Sequence, residues 1–130
     1  MLSSLKPLLF GLALAISGVV LFRLAGHLFF FEERASANGQ ALAGAVAGLT
    51  VGWLVSRQCC GLRGVVLTAI PGLLLMAAIT SHFGLAFPNI DPKLDKGFGG
   101  LMLWFHGFML LGGLTARAPA SLRQPALPPA

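Results

Sequence analysis

The sequence predicts an all-α integral membrane protein, with four transmembrane helices in an up-down-up-down bundle. Three observations carry that prediction. Of the 130 residues, 56% are hydrophobic and only 10% are charged, and the mean hydropathy is +0.84. A soluble domain of this size needs more polar surface than that. The apolar residues gather into four runs, each near the roughly 20 residues that a helix needs to cross the hydrocarbon core. The connectors "EERASANG", "RQCCGLRG" and "PNIDPKLDK" are short, and short connections make sequence neighbours antiparallel.

The first span is expected over residues 8–31. It is opened by Lys6-Pro7, since proline is tolerated in the first turn of a helix. Its start has the outline of a secretory signal, with Lys6 followed by an apolar run and "ALAIS". The run continues past a signal's usual length, so a retained span is expected. The second span, residues 40–56, is rich in glycine and alanine. Gly44, Gly48 and Gly52 recur every four residues and share one face, which lets another backbone approach closely. Gly11, Ala15 and Gly18 form a similar narrow face on the first span. The two small faces are expected to dock on each other, or to mediate self-association.

The third span, residues 64–87, carries Pro71-Gly72, where a kink is expected. The fourth covers residues 97–115. Residues 1–116 then form one membrane domain, and the Pro/Ala-rich tail 117–130 is expected to be a disordered cytoplasmic extension. Lys6, Arg57, Arg63, Arg117 and Arg123 fall on one side, against Arg34, Lys93 and Lys96 on the other. That asymmetry places both termini in the cytoplasm, in a membrane of the bacterial inner-membrane type.

The net charge of +5 is spread singly between apolar runs, so no phosphate-tracking patch exists and no nucleic-acid partner is expected. Adjacent Cys59 and Cys60 bridge each other only with strain, and they suit a reducing cytoplasmic loop. They are read as unreactive interfacial thiols rather than as a metal or acylation site. No nucleophile–base set, metal-ligand spacing or phosphate-cradling loop is present in the sequence, so no catalytic residue is assigned and the chain is read as a non-enzyme.

The functional signal is a set of ionisable residues inside the spans, which are costly there and mark sites by default. Counting inward from the outer ends, His27 and His82 lie about 6–8 Å deep, and Arg23 and His106 about 12–14 Å deep. Arg23 and His27 are one turn apart and project together. Thr68, Pro71, Leu75, Ala78 and His82 follow one stripe of the third span; Gly99, Met102, His106, Leu110 and Gly113 follow one of the fourth. These stripes are expected to converge on a polar layer opening outward, rimmed by Arg34, Asn89 and Asp91.

Three roles fit such a layer. The leading expectation is a small non-catalytic subunit or assembly partner of a larger membrane complex, touching lipid and other integral-membrane subunits. An alternative is a small transporter or channel for an anion or protons, using Arg23 and the histidines; the lack of a carboxylate within any span weighs against cation coupling. A second alternative is a b-type haem subunit, with His27 and His82 as axial ligands and Arg23 facing a propionate.

Overall fold

The computed structural model describes residues 2–26, 34–58 and 61–116. His27, Cys59 and Cys60, the side chain of Arg34 and the tail 117–130, for which the sequence raised expectations, lie outside the described residues. Five helices follow in chain order: α1 Leu2–Ala25, α2 Arg34–Gln58, α3 Gly61–Ser81, the short α4 Phe83–Ala86 and α5 Asp95–Thr115. A 3₁₀ turn, Pro92–Leu94, leads into α5 and is capped by Asp91, whose carboxylate accepts from the Lys93 N–H at 2.9 Å. No strand occurs among the described residues.

Among the described residues, four stretches are long and apolar enough to cross a membrane: Leu5–Ala25, Asn38–Gln58, Gly61–Ser81 and Pro92–Thr115. At 1.5 Å per residue a helix of such length spans about 30 Å, the thickness of the hydrocarbon core. Their boundaries differ from those of the apolar runs. The third helix stops at Ser81 rather than 87, because His82 leaves helical geometry (φ −127°, ψ 37°). The apolar residues beyond it serve the core instead, Phe83 and Phe87 being 5% and 0% exposed. The second helix starts at Arg34, taking in "RASANG", where Ala35 and Ala37 favour helix although hydropathy is low. Helix α3 runs unbroken through Pro71. It starts at Gly61, whose φ of +60° only glycine adopts freely and which lets the chain turn sharply out of α2.

Packing links the helices in the spatial order α1–α3–α5–α2, with a thinner contact of α2 on α3. Helices α1 and α3 cross at Gly11, where a Cβ would overlap the Thr68 carbonyl. The Thr68 hydroxyl lies 2.9 Å from the Gly64 carbonyl and 3.2 Å from that of buried Pro7, and donates across this crossing. Helices α2 and α5 meet more extensively. A Cβ on Gly48 would strike the Phe105 carbonyl, one on Gly52 that of Met109, and one on Gly112 that of Leu49. Ser56 donates to the Gly113 carbonyl at 3.2 Å, and the Trp104 indole to that of Ala41 at 2.9 Å.

Gly48 with Phe105, Gly52 with Met109 and Ser56 with Gly113 each pair residues 57 apart, so α2 and α5 run in the same direction. Helices α1 and α3 also run together, since Gly11 meets Thr68 at one end and Arg23 meets Ala86, just past α3, at the other.

Two apolar clusters hold the ends. In one, the rings of Phe22, Phe83, Phe87 and Phe98 lie with centroids 5.0–6.4 Å apart, backed by Ala15, Met76 and Ile90. The other joins Val55, Val65, Ala69 and Met109. Outward leucines such as Leu24, Leu42, Leu74 and Leu103 stay exposed, as a lipid-facing surface requires.

Candidate functional site

Helices α1 and α2 close neither on each other nor on a shared neighbour along their full length, and a cleft of about 440 Å³ remains between them. Its walls are α1 and α2, and its floor is α3 and α5. The small faces expected to dock do look toward each other, since Gly11, Ala15, Gly18 and Gly44 all line the cleft. They are not each other's packing partners. Gly11 is taken by Thr68 of α3, and Gly48 and Gly52 by the backbone of α5; Gly18 has open space around it. Backbone carbonyls on α3 and α5 fill the narrow surfaces first, which corrects the expected α1–α2 docking. A second cavity of about 270 Å³ continues along the seam toward Lys6 and Gln58, sharing Leu14 and Thr68 with the first.

Among the described residues, His106 is the one ionisable side chain lining the main cleft, and it is 7% exposed. Its ring is positioned from three sides. Nδ1 lies 2.7 Å from the Met102 carbonyl one turn earlier on α5, so in the neutral imidazole Nδ1 carries the proton and donates. Phe105 meets the ring edge-on at 5.2 Å. Gly72 of α3 makes the room: a Cβ there would lie 2.6 Å from Nε2. Nε2 keeps a lone pair and has no hydrogen-bond partner, and no fully buried side-chain nitrogen or oxygen among the described residues lacks one. Nε2 is therefore reached from the cleft. Nearby hydroxyls are already engaged, Ser17 donating to Ala13 and Thr68 to Gly64 and Pro7.

The other expected members of a polar layer sit elsewhere. Arg23 is exposed and reaches the Ala86 carbonyl at 3.3 Å, over the end of α4. His82 is exposed at the end of α3 and its Nδ1 lies 3.2 Å from the Ala78 carbonyl. His106 is level with Gly72, ten residues before His82, a separation of about 15 Å along α3. Arg23, His82 and His106 thus occupy three environments, not one pocket. The depth count from the apolar runs placed them together because it took the third span to end at 87 rather than at Ser81. Of the expected rim, Asn89 and Asp91 are exposed in the connection to α5, Asp91 capping its 3₁₀ turn. Of the expected haem pair, His82 is held as described and His27 is outside the described residues. No group of three or more potential metal ligands occurs among the described residues.

Sequence reasoning had Thr68, Met102 and His106 of the cleft floor but missed Gly72, Met76 and Met109 beside them. Thr68, Gly72 and Met76 of α3 form the stripe that faces the cleft, together with Met102, His106 and Met109 of α5. Their spacings of three and four residues were available as a signal. The choice between this stripe and its neighbour through Pro71 and Leu75 rested on His82, which belongs to neither wall.

No curated protein and no solved structure matches the chain. The model of a family of unknown function, DUF5367, matches residues 29–120 and so takes in α2, α3, α4 and α5; the chain belongs to that family.

Proposed function

We propose that the protein is a non-catalytic membrane protein that receives a small membrane-dissolved molecule in the cleft between α1 and α2. The observation that carries this reading is the cleft itself: about 440 Å³, mostly apolar, with one buried imidazole on its floor. Small-molecule sites have this character, a concave apolar surface of about 300–1,000 Å³ with few polar groups. A cleft at the edge of a helical ring is also open to entry from lipid. The reading includes an up-down-up-down topology with both termini cytoplasmic, supported by the shared directions of α1 with α3 and α2 with α5, and by the lysine and arginine bias.

The test is native mass spectrometry of the full chain released from its membrane, beside Gly18→Leu and Ala47→Leu. Both substitutions place a larger side chain in the cleft, and at Gly18 it meets open space. A small-molecule adduct on the wild type that both variants lose is the expected result. An adduct retained by both, or none on any of the three, would sink the reading.

One observation favours a second reading, an accessory subunit in a larger assembly. Only 11% of the α1 span is buried within the chain, against 28–33% for the other three. Helix α1 is then the natural contact for another subunit. Photo-crosslinkers at Leu9, Ile16 and Val20 on its exposed side would capture an integral-membrane protein; capture of lipid alone counts against it.

A further inference from the structure

We infer that the cleft selects a neutral, membrane-soluble phenol carrying an alkyl chain, whose hydroxyl donates to Nε2 of His106. This rests on the cleft being a ligand site. The chemistry starts from the imidazole. Nδ1 is committed to the Met102 carbonyl at 2.7 Å, so Nε2 is an acceptor and seeks a donor. The residue is 93% buried by difference from its 7% exposure, and its surroundings in the cleft are apolar. An acceptor left unpaired in such a place is costly, and a ligand hydroxyl offsets that cost where an ether or hydrocarbon does not.

The walls add the aromatic preference. Met76, Met102 and Met109 converge on the cleft, beside Phe22 and Phe105. Thioether sulfur and ring edges make favourable contacts with an aromatic ring beyond simple area burial. Charge is disfavoured: among the described residues lining the main cleft no carboxylate, lysine or arginine is present to pair with an ionised ligand. The chain has a place to run. The seam continues into the second cavity past Leu14, bounded by Phe10, Val51 and Leu54 and reaching Lys6 at its end. A ring at His106 with an alkyl tail along that seam matches the sequence of polar and apolar surfaces.

The experiment compares 4-nonylphenol with its methyl ether, 4-nonylanisole, by equilibrium binding to the full chain in lipid nanodiscs. The two differ in one hydrogen-bond donor. The phenol should bind about tenfold more tightly, the size of effect expected from one well-placed hydrogen bond in a buried site. His106→Phe and His106→Leu should each abolish the difference between phenol and ether, and thermal unfolding of both variants in detergent shows that the fold survives. Gly18→Leu should remove both. Equal binding of the two probes to the wild type overturns the inference while leaving the cleft as an apolar site. A phenol preference that survives both His106 substitutions overturns the role of the imidazole. Binding of neither probe, with a membrane-derived adduct still present by mass spectrometry, overturns the phenol and keeps the cleft; with no adduct either, both readings fall.

Discussion

Whether His106 fits its place is decided by a missing methyl group on Gly72. The virtual Cβ at that position lies 2.6 Å from Nε2, closer than van der Waals contact allows. Gly72→Ala should therefore push the imidazole off its bond to Met102 and lower stability by about 1–3 kcal/mol, the usual range for overpacking. In a His106→Ala background most of that loss should disappear, because the ring that the methyl strikes is gone. Unfolding of the four proteins of this double-mutant cycle in detergent measures the coupling directly; additive losses would remove the contact from the account. Arg23 offers the contrast. Its side chain is exposed and its bond to the Ala86 carbonyl is long, 3.3 Å, so Arg23→Leu should shift stability by less than about 0.6 kcal/mol, the average for a polar contact within a membrane bundle. His106 was legible as an ionisable residue inside a span from its type and depth alone. Its partner was not, because counting along one helix gives a level only relative to that helix's own end, and the end of α3 lies six residues before the end of the apolar run.

The same limit governs the helices. Glycines at four-residue spacing announce a close approach, but a periodicity on one helix does not say which neighbour arrives. In α2 the neighbour is α5, and the approach is close enough that Gly52→Ala would set its methyl against the Met109 carbonyl. The two backbones must separate, at a cost of about 1–3 kcal/mol. Gly107 has nothing within 4 Å of its Cβ position, and Gly107→Ala should be neutral or slightly stabilising, since alanine favours helix by up to about 1 kcal/mol. Thermal unfolding of both variants in one detergent tests the pair; equal losses would mean that the glycines act through the helix and not through the contact. Between α1 and α3 the corresponding device is Thr68. Thr68→Val keeps the shape and deletes the donor to Pro7, for an expected loss of about 0.6–1.7 kcal/mol. The existence of four membrane-length helices was readable from hydropathy because lipid imposes length and apolarity at once. Their ends were less readable. Phe83 and Phe87 are as apolar as any spanning residue, yet they are spent on an aromatic cap with Phe22 and Phe98. "RASANG" reads as a connector by polarity although all six residues belong to the opening turns of α2.

Seen whole, the chain is an arc of four helices, α1–α3–α5–α2, whose two ends are the first two helices in sequence. Helices adjacent in the chain need not be adjacent in the arc, and each crossing at which a glycine meets a backbone carbonyl joins helices that run in the same direction. This arrangement leaves the cleft at the seam between α1 and α2, and it also fixes what a topology experiment must find. If α1 and α3 share a direction, and α2 and α5 share one, the segment between α2 and α3 lies opposite the segment between α3 and α5. The first carries Arg57 and Arg63; the second carries Lys93 and Lys96 with Asp91 and Asp95. The positive-inside rule then chooses between two orientations of one body, and the orientation proposed above is the one that sets Lys6, Arg57 and Arg63 in the cytoplasm. Trp53 fits a boundary on that side, its ring lying 4.6 Å beneath the Arg57 guanidinium, an aromatic and a cation together at a membrane surface. A membrane-impermeant maleimide applied to intact cells should leave Cys59 and Cys60 unlabelled. It should label Asn89→Cys, an exposed position in the opposite connection, in a background with both native cysteines replaced by serine. Permeabilised cells should reverse the first result without changing the second. Labelling of the native cysteines from outside would invert the whole molecule. Labelling of both positions from one side would break the alternation itself, and with it the parallel pairing that shapes the cleft.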